Sequence, residues 1–235
     1  MHTESTKKKL AVVYHGIPRS IEYTYKSHTH HISNVLKRLG IETKTFIHFW
    51  KIENNVQKVW NRVCKADLDP NTYELLSPDY YKTEPQDIFL SKMDFSDYFY
   101  EDVYNKYGAM DKENGEWNPD LLRNHICALE SMKRAYNMVT QSGYTPDYIA
   151  LLRPDIYLKR ALLITPEVKI LDSDPRSILI PGFDFYEGVN DRAAVMNFEM
   201  AEPYFNRINF IKDYRKNHGR IVSEKYTKYI CDNYY

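Results

Sequence analysis

Arg153-Pro154-Asp155 places a guanidinium two residues from a carboxylate, at the end of a short apolar run, Tyr148 to Leu152. Such a pair could hold a phosphate and a metal ion, or close a loop as an ion pair. Three more polar clusters stand directly after apolar segments: Gly16 to Ser20 (G-I-P-R-S), His48, and Asp184 to Arg192 (D-F-Y-E-G-V-N-D-R). A nucleotide-diphosphate ligand needs cations or a metal at its phosphates and planar donors for its base or sugar. Arg19, Arg153 and Arg192 could be the cations and Asp155 the metal carboxylate, while Asn190 and Asp191 could bond sugar hydroxyls. Arg123 could reach the phosphates or face solvent. His48 could contact a base or be a satisfied core histidine.

Two literal Asp-x-Asp tripeptides compete, Asp67-Leu68-Asp69 and Asp172-Ser173-Asp174. Neither follows a buried strand and each precedes a proline, so both read as solvated turns. His28, His30 and His31 invite a zinc reading, with His28 and His31 three residues apart. No cysteine or acid joins them at a ligand spacing, and a polar helix face is the simpler reading.

Four clusters, each directly after a predicted strand, suggest a single crevice lined by strand ends, as in open α/β sheets, where ligands bind beyond the carboxyl ends of the strands. Lys9 to Tyr14 reads as a buried strand and Gly16 to Ser20 as a loop, with Ser20 able to cap the segment after it. Ile21 to Leu39 reads as a helix with Ile32, Val35, Leu36 and Leu39 on one face and Gly40 as its stop. Ile41 to Trp50 is a second strand, giving a βαβ opening. Between 51 and 117 a short helix is expected over Val56 to Cys64, a strand over Glu84 to Leu90, and an aromatic, acidic stretch from Phe95 to Tyr107. This region is where an insertion would cover the active face. Asn118-Pro119-Asp120 starts a long helix striped by Leu122, Ile126, Leu129, Met132, Tyr136 and Val139. Tyr148 to Leu152 is then a strand buried on both faces, ended by Pro154. Ser177 to Phe183 is expected as a strand. Helices are expected over Phe198 to Asn217 and, capped by Ser223, over Ser223 to Asp232. The whole chain, 1–235, reads as one domain without repeats or a linker.

A chain of 235 residues can bury on the order of 70% of its unfolded surface. Its 32 basic and 32 acidic residues cancel, so no field would recruit nucleic acid or an acidic membrane wholesale. The start M-H-T-E-S-T-K-K-K-L leads into a short apolar run, Leu10 to Tyr14, which reads as neither a signal peptide nor a membrane span. Cys64, Cys127 and Cys231 are odd in number and widely spaced, and are expected as reduced thiols in a cytoplasmic protein. Tyrosine outnumbers phenylalanine, 21 to 10, which suits sugar or nucleotide surfaces as well as half-buried packing.

The segments G-x-P-R-S, D-Y-I-A-L-L-R-P-D-I, G-V-N-D-R-A-A-V and S-E-K-Y, in that order, resemble a group of glycosyltransferases. These are small nucleotide-sugar enzymes of GT-A type, found in large algal viruses and bacterial polysaccharide loci. The resemblance runs along nearly the whole chain, with little contribution from 51–117. It implies a single-domain GT-A-like, Rossmann-type α/β fold with a mixed, mostly parallel sheet flanked by helices. It also implies transfer of a hexose or pentose from a UDP- or GDP-sugar to a glycan or glycoprotein hydroxyl, in the cytoplasm (the host's, if the protein is viral). Arg153-Pro154-Asp155 would stand where such enzymes carry an Asp-x-Asp metal motif, with Asn190, Asp191 and Arg192 against donor sugar and acceptor. Because Arg153 replaces the first aspartate, two expectations stay open. Asp155 binds Mn²⁺ or Mg²⁺ almost alone, or Arg153 takes over part of the metal's charge work. Gly16, Arg19, Ser20, His48, Arg123, Arg153, Asp155, Asn190 and Arg192 are the candidate donor-binding residues. Asp191 is the first candidate for the acceptor base, and Asp184 and Glu187 are the second. The alternatives are a non-catalytic nucleotide- or glycan-binding module on the same fold, and an interaction protein working through Phe95 to Tyr107.

Overall fold

Strand β1, Lys9–Gly16, has neighbours on both sides, and this arrangement sets the position of everything else. It pairs in parallel with β2 (Glu42–Lys51) and with Tyr148–Leu152, here called β8. The computed structural model describes residues 7–52, 56–59, 62–65, 68–69, 71–98, 110–111, 116–117 and 119–235. Within them, β3 (Val56–Val59) and β4 (Arg62–Lys65) form an antiparallel hairpin in place of the expected helix. Their valines suit strands better than helices. Tyr80–Pro85 is β5, paired in parallel with β2, and Gln86–Leu90 is helical. The strand expected over Glu84 to Leu90 therefore lies earlier, because Pro85 has no N–H to continue a ladder. Met110–Asp111 (β6) and Glu116–Trp117 (β7) pair antiparallel. Beyond Tyr98, the stretch Phe95 to Tyr107 lies outside the described residues, as do Asp67 and the expected cap Asn118.

Two further strands complete the sheet: β9 (Ile178–Leu179) and β10 (Ala193–Asn197), in the order β5-β2-β1-β8-β10-β9. The fold is a mixed, mostly parallel sheet flanked by helices. β9 is far shorter than the strand expected over Ser177 to Phe183, since Pro181 and Gly182 interrupt it. β10 runs antiparallel to β8, which brings the start of β10 to the carboxyl end of β8. Arg153 N–H donates to the Arg192 carbonyl at 3.0 Å, extending the ladder by one step.

Alternate residues of each central strand enter opposite cores. Ala11, Val13, Ile149 and Leu151 face the long helix Pro119–Gln141 and the carboxyl-terminal helices. Leu10, Val12, Tyr14, Tyr148, Ala150 and Leu152 face the first helix. That helix runs Ile21–His28, passes through a π turn at Thr29–Ser33 and ends with Asn34–Arg38. Ile32 and Leu36 are buried as expected, whereas Leu39 is exposed. Ser20 stands at its N-cap in the left-handed region (φ 60°) and makes no side-chain cap bond. The expected helix over Phe198 to Asn217 is broken into Ala201–Phe205, a 3₁₀ turn at Arg207–Asn209, and Ile211–His218. Asn206 precedes that turn with no side-chain cap bond, and Asn209, its last residue, accepts from Lys133 Nζ at 2.9 Å. The last helix is Ser223–Tyr234, with Val222 rather than Ser223 at its N-cap. Cys127 is buried and Cys231 half-buried, and both are free thiols.

Candidate anion-binding active site

The first helix and the long helix lie on opposite faces of the sheet, so a crevice opens between the carboxyl ends of β1 and β8. The loop after β8 is pinned by buried polar groups of the first helix. Thr24 Oγ1 donates to the Pro154 carbonyl (2.7 Å), His28 Nε2 to the Ile156 carbonyl (2.6 Å), and Leu158 N–H to Ser27 Oγ (3.1 Å). Tyr14 Oη lies 2.8 Å from His28 Nδ1, completing that histidine's bonding. His28 is therefore a buried structural group, not part of the polar face expected of it, while His30 is exposed.

Asp155 is the hub of the crevice. Its Oδ1 accepts from Arg153 Nε at 3.0 Å, and its Oδ2 accepts from Arg153 Nη2 at 2.7 Å and from Arg19 Nε at 2.8 Å. Burial alone would raise the Asp155 carboxyl; Arg153 and then Arg19 override it and hold it at about 2. A cavity of about 270 Å³ opens here, lined by Gly16, Arg19, Arg153, Asp155, Asp191 and Arg192 among others. A second cavity, of about 1100 Å³, lies between the loop after β8 and the segment 178–183, and shares Arg153, Asp155 and Arg192 as a common wall.

Asp191 is half-buried beside Arg153, His125 and Arg207; burial would raise its carboxyl, but these neighbours lower it. Glu224 lines the same cavity and moves the other way, raised by burial and then by the Asp191 charge. The Ser223 hydroxyl lies between them, donating to Glu224 Oε2 at 2.9 Å and within bonding range of Asp191. Two neighbouring carboxyl groups whose environments separate their proton affinities can divide acid–base work. Arg207, only 1% exposed, lies with its guanidinium carbon 4.2 Å from the Tyr204 ring centroid and donates to Thr227 Oγ1 at 3.2 Å. Its Nε–H has no hydrogen-bond partner among the described residues, and neither has His15 Nε2. Both side chains line the cavity. Burial lowers His15 to about 3 and Arg153 adds to it, so the ring is neutral, with Nδ1–H donating to the Ala128 carbonyl.

Of the residues singled out from sequence, Gly16, Arg19, Arg153, Asp155, Asp191 and Arg192 meet at the first cavity, and Asn190 lines the second. Asn190 spans its own loop, donating to the Phe183 carbonyl and accepting from Arg192 N–H. Asp184 pairs with Arg192 at 2.5 Å and Glu187 with Lys225 at 2.6 Å, and neither of these two carboxylates lines a cavity. His48 is fully buried between Ser131 Oγ (2.8 Å) and Glu84 (3.0 Å) and lines neither cavity, and burial lowers it to about 4. Ser20 is exposed, and neither it nor Arg123 lines either cavity. Asp172 is engaged by Lys8 and the Tyr148 hydroxyl, and Asp174 accepts from Arg176 N–H and Ser177 Oγ, the bonding of a solvated turn.

His15, His125, Arg207 and Glu224 are not singled out by sequence. Their local signal is faint: Arg207 stands between Asn206 and Asn209 in F-N-R-I-N-F, and Glu224 is one of several polar residues in S-E-K-Y.

The donor set does not suit a divalent cation. Both Asp155 oxygens are occupied by guanidinium N–H groups, and an ion there would face two cations at close range. At 4 Å and an effective dielectric near 20, each unit of like charge costs about 4 kcal/mol. Among the described residues no group of three His, Cys, Asp or Glu side chains comes together around a point. In this arrangement Asp155 presents no carboxylate oxygen that is not already bonded to a guanidinium group.

Among the described residues no helix is long and apolar enough to cross a membrane. No family model and no curated protein sequence matches the chain. Among solved structures it is similar to the crystal structure of mouse xyloside xylosyltransferase 1 in its apo form. The TM-score is 0.41 and the sequence identity 11%, covering 96% of this chain and 81% of that chain.

Proposed function

We propose that the protein is a glycosyltransferase that takes a sugar from a nucleoside-diphosphate donor to a hydroxyl acceptor. The observation that carries this reading is the convergence of Arg19, Arg153, Arg192 and Arg207 with Asp191 and Glu224 on one cavity at the switch point of the sheet. The buried Arg207 Nε–H without a partner is a donor that a ligand oxygen or an ordered water would satisfy. The wall shared by the two cavities is the natural seat of the diphosphate, with the scissile bond at their junction. The order of the motifs G-x-P-R-S, R-P-D, N-D-R and S-E-K-Y supports the same class of enzyme.

In the reaction the acceptor oxygen forms a bond to the anomeric carbon while the bond from that carbon to the phosphate oxygen breaks. The nucleoside diphosphate leaves with the bonding electrons, and the arginines stabilise the charge that develops on it. The acceptor proton passes to a carboxylate. Asp191, held ionised by Arg153, is a poor proton acceptor, whereas the raised Glu224 is the better one. Asp191 then acts chiefly to position the guanidinium groups.

Titration with UDP and GDP, followed by assay of nucleotide-sugar hydrolysis, tests the reading. Binding with slow hydrolysis that is lost in Glu224→Gln supports a transferase. Binding without hydrolysis of any UDP- or GDP-sugar leaves a binding module, and no binding leaves an interaction protein.

A further inference from the structure

We infer that the cavity holds the diphosphate of its ligand without a divalent cation, by a guanidinium clamp of Arg153 and Arg19 that Asp155 fixes in place. This rests on the functional reading above, since the ligand is the proposed donor. Asp155 is then a positioning residue.

Three observations carry the inference independently of one another. First, Asp155 makes three short charge-assisted bonds, two from Arg153 and one from Arg19, so it orients both guanidinium groups. Arginine has five N–H donors in a rigid fork. Those of Arg153 not turned to Asp155 remain available, among the described residues, for the bidentate contact that phosphate oxygens accept. Second, the cavity lining carries four arginines against three carboxylic acids. Even with Asp184 counted against Arg192, the ionised acids do not outnumber the arginines. A site of this balance accepts an anion without a metal to neutralise it. Third, Arg207 is fully buried behind the clamp with its Nε–H unpartnered, a donor that a phosphate oxygen or an ordered water on it would satisfy. A metal site would be built the other way, with carboxylates facing the ion and cations kept back.

The test is calorimetric titration of the intact chain with UDP and with GDP, once in EDTA and once in excess Mn²⁺. The clamp predicts binding in EDTA with an affinity within about threefold of that in Mn²⁺. It further predicts that Arg153→Gln and Arg19→Gln each weaken binding in EDTA by about tenfold or more, equivalent to about 1.4 kcal/mol. Arg19 is partly exposed, so its variant keeps the test open if Arg153→Gln fails to fold, which thermal melting reports. Binding that appears only with Mn²⁺ overturns the clamp and leaves the donor reading intact. Binding in EDTA that neither arginine variant weakens also overturns it. No binding of either nucleotide in either buffer overturns both.

Discussion

Gly188→Ala is the most discriminating single perturbation of the site, because it acts on the loop from outside the cavity. Gly188 packs against the backbone at the start of the last helix, and Val189 N–H donates to the Glu224 carbonyl at 3.1 Å. A Cβ at Gly188 would lie 2.1 Å from both the carbonyl carbon and the oxygen of Glu224, and 2.5 Å from Lys225 N. Ordinary contact begins at 3.4 Å, so one backbone must retreat by roughly 1 Å. The last helix is anchored by the fully buried Tyr226 and Ile230, so the loop is the part that moves. Overpacking costs roughly 1–3 kcal/mol, and loss of the Val189 bond adds about 1 kcal/mol. For a chain of this length a loss of that size lowers Tm by on the order of 10 °C. Because Asp191 and Arg192 follow on the same loop, UDP or GDP affinity falls with it. Gly182→Ala is the control: nothing lies within 4 Å of its added Cβ, and the change should stay within about 0.5 kcal/mol of wild type. Calorimetry of the three proteins decides. A Gly188→Ala protein as stable as Gly182→Ala, with unchanged nucleotide affinity, would show that the loop does not rest on Glu224 as described.

Other expectations concern charge and protons. Glu224→Gln should lower turnover by about 10²–10⁴ while leaving nucleotide affinity within about threefold, whereas Asp191→Asn should weaken nucleotide affinity as well; paired turnover and titration experiments separate the two. Arg153→Asp rebuilds a two-carboxylate D-P-D sequence, and a thermal shift with UDP should then require Mn²⁺ and disappear in EDTA. Stability should fall on acidification in two stages. Burial keeps His15 and His125 neutral down to about 3, so below about pH 6.5 the unfolded chain takes up protons that the folded chain refuses. Each histidine then removes about 1.4 kcal/mol per pH unit. Asp155, at about 2 in the fold against an ordinary 3.8, contributes stability above pH 4 that is lost as pH falls toward 2. Urea midpoints that stay flat between about pH 7 and pH 5 would contradict the first stage.

The parts of this fold that announce themselves in sequence are those where one periodicity dominates. The unbroken runs of β1 and β8 and the apolar stripe of the long helix have no competing pattern, and the structure forms all three. The crevice is legible for a related reason: Gly16 to Ser20 and Arg153 to Asp155 each interrupt an apolar run at a point where only a strand end allows polar side chains. Thr24, Ser27 and His28 show why local reading fails elsewhere. By composition they make a polar helix face, yet they are buried because they bond the loop from Pro154 to Leu158, more than a hundred residues away. Strand β10 escapes a sequence reading because Ala193-Ala194-Val195-Met196-Asn197 is short and has no alternation, and its place is fixed by pairing with β8 and β9.

Arg207 and Glu224 carry this lesson to the site itself. Both lie far along the chain from Arg153, and only the antiparallel return of β10 and the docking of the last helix bring them to the same cavity. A buried arginine without its full set of partners is costly unless something compensates it. The Asp191 charge compensates part of that cost, the Tyr204 ring another part, and an anionic ligand is the remaining candidate. The same reasoning explains the environment of Glu224: burial and then the ionised Asp191 raise its affinity for a proton, and it lines the same arginine-rich cavity. If the arginines bind the leaving diphosphate, the proton that the acceptor gives up has Glu224 within the same enclosure to receive it. Charge stabilisation and proton transfer then depend on one another, so removing the Asp191 charge should disturb both at once: Arg153 loses its second carboxylate, and Glu224 loses the neighbour that helps raise it.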